Sequence, residues 1–515
     1  MGLTALYTGA NGMKTLSTGM QVVGNNLANV NTVGFKQQMA IYQDMLSTGV
    51  SSASVNGAGR ADGAAVGYAQ LGMGVSMAEV RTIHRQGSFD IANEVTDLGI
   101  GGIGFFGVSR NGVTHYTRAG NFRFDKSGYL TDPSGFRLQG KPIVNGVAGG
   151  TGDLRLDINQ NGKVVLPASP TQSVRLISNL GSVDDLASDT SDPFFSLAKT
   201  WDGTQEPPLG NGAFSHSSTM RVYDADGNAR DLTIYFDAVN GVSNAGGNRY
   251  FEYIVTMPPS DDGRSFSGAG KGLLLAGTLT FGSGNTLTDM TAFVPGQDTS
   301  NLSSWAPASF SAGGLPQFDV SFLGQGGGAG GTQTISLDLG VSNPGGAWTS
   351  TATSAGAVGN NAANLPGMAQ ATPGASNTTA YNGASSTLLQ RQDGYGEGYL
   401  QNLSIGRDGV MTGKFSNGES ADLFQISIYR FTSEFGLKRE GGNHFSATNA
   451  SGAAQEGVPA SENYGYIAAK SLEQSNVDMA TEFVNMIVTQ RGFQSNSKII
   501  TTQDQMIQHA LQMKR

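Results

Sequence analysis

The sequence predicts an α+β protein that is mostly β. Paired, coiled-coil-like α-helices form its two ends, and discontinuous β-rich middle and outer domains lie between them. Three observations carry this reading. Apolar residues recur every seven positions near both termini, the period of a helix packing on another helix. Between the ends the apolar period drops to two, the mark of strands. Glycine fills 75 of 515 positions while charged residues make up only 14%. Typical chains carry ~7% and ~25%, so tight turns and a weakly charged surface are expected. At ~100–200 residues per domain the length predicts roughly three domains or one large elaborated one. With hydrophobic residues at 38% and aromatics at 8%, there is enough apolar material to build cores.

At the N-terminus, Leu6, Met13, Met20 and Leu27 stand seven apart, and Leu16, Val23 and Val30 supply the second line of a helical seam. Gly9, Gly12, Gly19 and Gly24 interrupt it. Each costs ~1 kcal/mol relative to Ala in a helix, so this helix is expected to order only when partners pack on it. At the C-terminus, Leu472, Met479, Met486, Phe493, Ile500 and Ile507 repeat every seven residues. In the second line Phe483 and Leu511 are apolar, but Gln490, Ser497 and Asp504 are not. A helix of roughly 40 residues far exceeds the ~10–14 of a typical globular helix. The pattern predicts self-association through these ends.

Between the helices, Leu232, Ile234 and Phe236 alternate with Thr233 and Tyr235, and Phe251, Tyr253, Val255 and Met257 alternate likewise. Leu275–Phe281, Phe318–Phe322, Ile335–Leu339 and Phe424–Tyr429 follow the same rule. All read as half-buried strands, with hairpin turns expected at Asp226-Gly227 and Asn417-Gly418. No strand–helix–strand rhythm appears, which argues against a doubly wound sheet. Two stretches read as linkers: Thr48–Ala65, and Leu339–Gln390, which contains no charged residue. The second is expected to be either a flexible loop or a low-charge surface lying against a neighbouring subunit.

Composition excludes several functions. The formal net charge of −9 and the lack of a basic stripe argue against nucleic acid and an anionic membrane surface. Without cysteine there are no disulfides and no thiolate-held metals. The first residues, MGLTALYTGANGMKTL, lack the basic and apolar regions of a cleavable signal. No stretch reaches the ~20 apolar residues of a membrane span. Gly99, Gly101 and Gly104 fit G-x-G-x-x-G, but an apolar strand rather than a helix follows, leaving no helix N-terminus for a pyrophosphate. The expectation there is close backbone approach at a β corner. Asp157–Gly162 opens like a calcium loop, yet Ala168 stands where a bidentate Glu is needed, so an Asx-rich turn is expected. The five histidines are scattered. No catalytic residue, cofactor or metal is expected, and the chain does not read as an enzyme.

Three stretches carry a family resemblance: NNLANVNTVGFK at Asn25–Lys36, DLGIGGIGFFGV and HYTRAGNFRFDKSGYLTDPSGFRLQG within Asp97–Gly140, and LEQSNVDMATEFVNMIVTQRGFQSNSK at Leu472–Lys498. Gln392–Gly418 and Phe431–Phe445 add two more, in the same order along the chain. Together they resemble the bacterial flagellar axial proteins, the rod and hook family. Gly99 and Gly492 stand where that family usually has Ala. The insert at about Leu156–Leu388 is far longer than rod members carry, and Ser217–Asp237 within it is similar to the outer β domain of hook members.

The resemblance implies a terminal helical assembly domain over 1–35 and 470–515, a linker over 36–80, a middle β domain from 81–155 and 389–469, and an outer β region over 156–388. It implies a structural subunit, exported by the flagellar type III apparatus without cleavage, that polymerises outside the cell into a curved tube coupling rod to filament. Its partners would be other copies of itself and the rod, hook-cap and hook–filament junction proteins. The assembly residues it implies are the seam positions Leu6, Met13, Leu16, Met20, Val23, Leu27, Leu472, Met479, Phe483, Met486, Phe493, Ile500, Ile507 and Leu511. With them go Asn29, Asn31, Gly34, Phe35 and Asn476 of the flanking motifs. A distal rod protein, and a secreted β-rich surface protein unrelated to motility, remain as alternatives. A cleavable signal and the loss of either terminal seam would favour the last.

Overall fold

Helix α1 covers Gly2–Ala28 and ends in a turn whose Gly34 adopts φ +68°. A Cβ there would stand 2.6 Å from the Ala119 backbone nitrogen, so both the backbone conformation and the close approach require glycine. The computed structural model describes residues 2–45, 48–50, 69–144, 146–159, 162–181, 184–243, 245–266, 268–324, 329–349 and 353–513. They form two units, residues 1–164 with 400–414 and 420–515, and residues 165–399 with 415–419.

In the first unit, Gln38–Asp44 pairs antiparallel with Val75–Thr82, from Gln38 opposite Thr82 to Asp44 opposite Val75. The expected linker over 36–80 therefore carries a strand at each end. QMAIYQD carries a short apolar run and VSMAEVRT a partial alternation, and the Ser- and Gly-rich middle between them dominates the linker reading. Most of the small-residue stretch Thr48–Ala65 lies outside the described residues.

The body of this unit is a sheet built from both halves of the chain. Its order is Ser420–Ile426, Arg137–Val144, Phe105–Arg110, Val113–Thr117, His444–Ser446 and Lys438–Gly441. Phe105 and Phe106 point to opposite faces, as neighbours in a strand must. Phe106 enters a cluster with Leu98, Phe122, Leu138 and Ile426, and Phe105 one with Tyr116, Phe431 and Phe445. The G-x-G-x-x-G stretch begins in the buried strand Leu98–Gly101, paired with Tyr466–Ala469. The rings of Phe89 and Tyr466 cover Gly99 and Gly101 where a Cβ would sit. At Asp157–Gly162, Asn159 Oδ1 accepts from Lys163 N, four residues on; Gln160 and Asn161 lie outside the described residues.

The second unit is a sandwich with a third layer. One sheet runs His216–Tyr223, Ala229–Val239, Arg249–Thr256, Leu273–Phe281, Phe293–Val294 and Ala306–Pro307. The other runs Ser309–Phe310, Pro316–Leu323, Ala329–Asp338, Ser173–Asn179 and Ser386–Gln392, with Ser173–Asn179 parallel to Ala329–Asp338. Leu232, Ile234, Phe236, Tyr253 and Val255 of the first meet Val174, Leu176, Phe318, Val320 and Ile335 of the second in one core.

The opposite face of the first sheet is covered as well. Phe194, Phe195, Leu197 and Trp201, around the short helix α2 (Ser196–Thr200), pack there with Trp305, Ala355 and Val358. Arg249–Thr256 and Leu273–Phe281 are consequently buried on both faces rather than half-buried as expected. Their intervening residues, Ile254 and Ala276 among them, are themselves compatible with burial. Leu339–Gln390, expected to be a flexible loop or a low-charge surface against a neighbouring subunit, supplies part of this cover through Ala355 and Val358. Val341–Ser342 pairs with Thr372–Pro373, and Leu339, Val341, Met368 and Ala380 sit in the sandwich core. A few well-placed apolar residues suffice to order a stretch of small ones.

Candidate assembly site

The C-terminal helix α3 spans Met479–Gln512 and starts at Asp478, whose side chain accepts from Thr481 N at 2.7 Å. Such a cap satisfies one of the free N–H groups of the first turn. The seven-residue pattern placed the helix one heptad too early. Leu472 lies in the strand Ser471–Glu473, which pairs with Phe89–Ile91. A heptad position and a strand's inward position look the same when only one of them is counted.

α1 and α3 run antiparallel. The space beside Gly9 is filled by Ile500, that beside Gly12 by Asn496, and that beside Gly492 by Leu16. A Cβ on Gly9 would stand 3.1 Å from Ile500 Cγ1, and one on Gly12 2.8 Å from Asn496 Nδ2. These glycines, expected as weak points of a marginal helix, are where the partner helix comes closest. The 38–82 strand pair lies along α1 too. Thr15 Oγ1 donates to Val75 O at 3.0 Å, and the Tyr42 hydroxyl fills the place of a Gly19 side chain. Asn26 imitates a strand residue, donating to Gln38 O at 2.7 Å and accepting from Gln38 N at 2.9 Å. The most buried face of α1 is thus Gly9, Gly12, Thr15, Gly19, Val22 and Asn26.

The predicted seam residues flank that face. Leu6, Met13, Leu16, Met20, Val23 and Leu27 are all half-buried. On α3, Met486, Phe493 and Ile500 are half-buried on the side that meets α1, whereas Met479, Phe483, Ile507 and Leu511 are exposed. The second line of the intrachain contact is Glu482, Thr489, Asn496 and Gln503, one residue before the line read from the sequence.

A separate apolar stripe was missed. Val484, Val488, Ile499, Met506 and Met513 fall within ~60° of each other around a 3.6-residue helix and are exposed, Val488 at 64% and Met506 at 60%. Its spacing of four, eleven, seven and seven escapes a strict seven-residue count.

Beneath the helices sits a buried charge cluster. Glu473 receives Lys36 Nζ at 2.5 Å, Arg118 Nη1 at 3.2 Å and Gly87 N at 2.9 Å, and the Lys36 and Glu473 side chains are wholly inaccessible. Arg118 also donates to Gly102 O at 2.8 Å, and Lys36 to Arg85 O at 3.0 Å. Burial pushes the Lys36 ammonium below its ordinary value; Glu473 opposes this shift and Arg118 adds to it. His84, nearby, is pushed down to about 4 by burial and by Lys36, Arg118 and Arg439.

The flanking motif residues join the same network. Asn476 accepts from Gln37 N at 2.7 Å and donates to Ile83 O and Arg85 O; Gly34 N donates to Glu473 O at 2.7 Å. Phe35 is buried under Arg439, Asn29 donates to Asn25 O at the end of α1, and Asn31 is exposed. Lys36, Arg118 and Glu473 each lie in a different one of the three quoted motifs. Lys36, the one charged residue of the Asn25–Lys36 motif, is the available sequence signal; Arg118 and Glu473 stand among other charges in theirs.

Comparison with known proteins places this arrangement. Four family models match in chain order. "Flagella basal body rod protein" covers residues 6–36, and "Flagellar hook protein FlgE/F/G D1 domain" covers 99–169. "Flagellar basal body protein FlaE D2 domain" covers 195–395, and "Flagellar basal body rod FlgEFG protein C-terminal" covers 468–513. The chain is 30% identical over 523 residues to the flagellar hook protein FlgE of Treponema pallidum, covering 100% of both. It is 31% identical over 521 residues to that of Borreliella burgdorferi, covering 99% of this chain and 100% of the relative. With that of Escherichia coli the identity is 27% over 507 residues, 98% of each. The chain, with both terminal segments and the long β insert matched, belongs to the flagellar hook protein family.

Proposed function

We propose that the chain is the structural subunit of a bacterial flagellar hook, self-assembling through its terminal helices into a curved helical tube. The tube would couple the basal-body rod to the filament and transmit torque as a universal joint. The observation that carries this is the outward apolar stripe of α3. A helix of 34 residues uses one side for α1 and leaves Val484, Val488, Ile499 and Met506 exposed on another. The occupant of the stripe is a second copy of the chain. A heterologous contact of this kind, repeated without closing, generates a helical polymer.

The role is structural rather than enzymatic. The partners are further copies, the rod, the hook cap and the hook–filament junction proteins, with export through the flagellar type III apparatus and no cleavage of the N-terminus. The position is extracellular, and no described helix is long and apolar enough to cross a membrane.

The test is Val488→Asp, which places a carboxylate on the stripe without touching the α1 contact. Gln490→Asp, two residues on and also exposed, is the control. Under salting-out conditions, electron microscopy and sedimentation should find tubes from the wild type and the control and none from Val488→Asp. Normal tubes from Val488→Asp, or equal loss in both variants, would reject the stripe as the assembly face.

A further inference from the structure

In the second unit, three polar residues stand in a row across the neighbouring strands Ala229–Val239, Arg249–Thr256 and Leu273–Phe281. Asp237 is directly opposite Glu252, and Glu252 is directly opposite Thr278. Cross-strand partners share a face, and this face is the one covered by Phe194, Phe195, Leu197 and Trp305. All three residues are fully buried. Asp237 Oδ2 accepts from Leu186 N and Ala187 N, both at 2.8 Å, and Glu252 Oε2 accepts from Leu197 N at 3.0 Å. Among the described residues, the other oxygens, Asp237 Oδ1 and Glu252 Oε1, have no partner, nor do Thr278 Oγ1 and Ser196 Oγ.

No cation among the described residues compensates the pair. The overlying 184–201 segment carries Asp184, Asp185, Asp189, Asp192 and Lys199, and Lys199 is held by Asp189 and Asp192 at 2.9 and 2.5 Å. The strands themselves bring Tyr235 and Tyr250 to this face. A lone carboxylate in such a place is costly enough to be neutralised instead. Each carboxylate of a directly opposed pair disfavours ionisation of the other.

We propose that Glu252 and Asp237 share one proton, carried on Glu252 Oε1 and donated to Asp237 Oδ1, as a pH-sensing element built into this unit. Asp237, with two backbone donors on one oxygen, is the ionised partner. Burial raises both carboxyls, Glu252 well above its ordinary value, where Asp237 and Asp185 add to the shift. A bound cation fits less well, because the four free oxygens fall short of the ~6–8 that calcium takes.

The sign follows from linkage. Unfolded, both groups lose their protons near pH ~4. Folded, the pair keeps one to higher pH. Above pH ~4 the unfolded state therefore binds fewer protons, and stability falls as pH rises until the folded pair ionises.

The test uses the full chain. All three tryptophans, Trp201, Trp305 and Trp348, lie in this unit, the first two in the covering layer, so tryptophan fluorescence reports its unfolding in urea. From about pH 5 to about pH 8 the wild-type unfolding constant should rise by up to tenfold per pH unit. Glu252→Gln should flatten this slope, since its amide can donate where the proton sat. Independently of any variant, the infrared spectrum of folded wild type at neutral pH should contain the C=O stretch of an un-ionised carboxylic acid that disappears on unfolding. A pH-independent wild type, an unchanged slope in Glu252→Gln, or absence of that band would overturn the proposal. A calcium- or chelator-dependent midpoint in wild type would overturn it in favour of a cation.

Discussion

Replacing Glu473 with Gln tests whether the charge cluster fastens the two chain ends to the β body. The carboxylate receives an ammonium at 2.5 Å, a guanidinium at 3.2 Å and a backbone N–H at 2.9 Å, with its own side chain and that of Lys36 inaccessible to water. Glu473→Gln preserves the shape but leaves Lys36 and Arg118 facing each other without a counter-charge. Charge-assisted hydrogen bonds contribute ~1.5–3 kcal/mol each, but removing one member of a buried pair costs ~3–5 kcal/mol in total. Against a stability of ~5–15 kcal/mol for a whole domain, that is a large fraction. Urea unfolding of the full chain separates the two units. Far-UV ellipticity follows α1 and α3, which belong to the first unit, while tryptophan fluorescence follows the second. Expected are a loss of ~3–5 kcal/mol in the helix signal and an unchanged fluorescence midpoint. Adding Lys36→Met should cost less than the sum of the single losses, because the two residues act on the same charge. An unchanged helix signal, or equal shifts in both signals, would refute the cluster as the fastening.

Two further outcomes follow from the first unit. Gly12→Leu puts a side chain where Asn496 Nδ2 stands 2.8 Å from the ideal Cβ; overpacking of ~1–3 kcal/mol should make both termini protease-sensitive in limited digestion, with the tryptophan signal unmoved. Burial holds His84 down to about 4, so below pH ~6.5 the unfolded chain takes up a proton that the folded one refuses. The helix signal should lose stability as pH falls from about 6.5 to about 4, and His84→Leu should remove that slope.

Periodicity made the strands legible, because alternation reports which face is covered. It failed where both faces are covered. Leu273–Phe281 reads as a half-buried strand until α2 and the 302–365 segments are placed over it. At Leu339–Gln390 the flexible-loop alternative gives way to an ordered stretch, because Leu339, Val341, Ala355 and Val358 anchor it. At the assembly site the seven-residue count found both helices but misassigned Leu472, which a strand claims. It also read Gly9 and Gly12 by helix propensity, although their use lies in tertiary approach. The charge cluster could not be assembled from sequence, since Lys36 and Glu473 are separated by nearly the whole chain and only the fold brings them together.

The division of labour on the two helices bears on how such a subunit avoids being satisfied too early. The face α1 gives to its own chain is mostly glycine, threonine and asparagine, and α3 answers with Glu482, Thr489, Gly492 and Asn496 beside Met486, Phe493 and Ile500. Close approach at Gly9, Gly12 and Gly492 sets the pairing, beside the half-buried Leu16, Met486, Phe493 and Ile500. The apolar stripe at Val484, Val488, Ile499 and Met506 points elsewhere. At ~25 cal/mol per Å² of apolar area, covering the stripe with another copy, as proposed above, would add a hydrophobic term that the monomer does not use. The pairing register supports the same conclusion. Gly9 meets Ile500 and Gly12 meets Asn496, so α1 runs out opposite the region of Met506, and Leu511 and Met513 extend past it with no intrachain helix to cover them. A subunit built in this way holds its ends by close packing and the Glu473 cluster, and under the proposed assembly the exposed stripe is what another copy would cover.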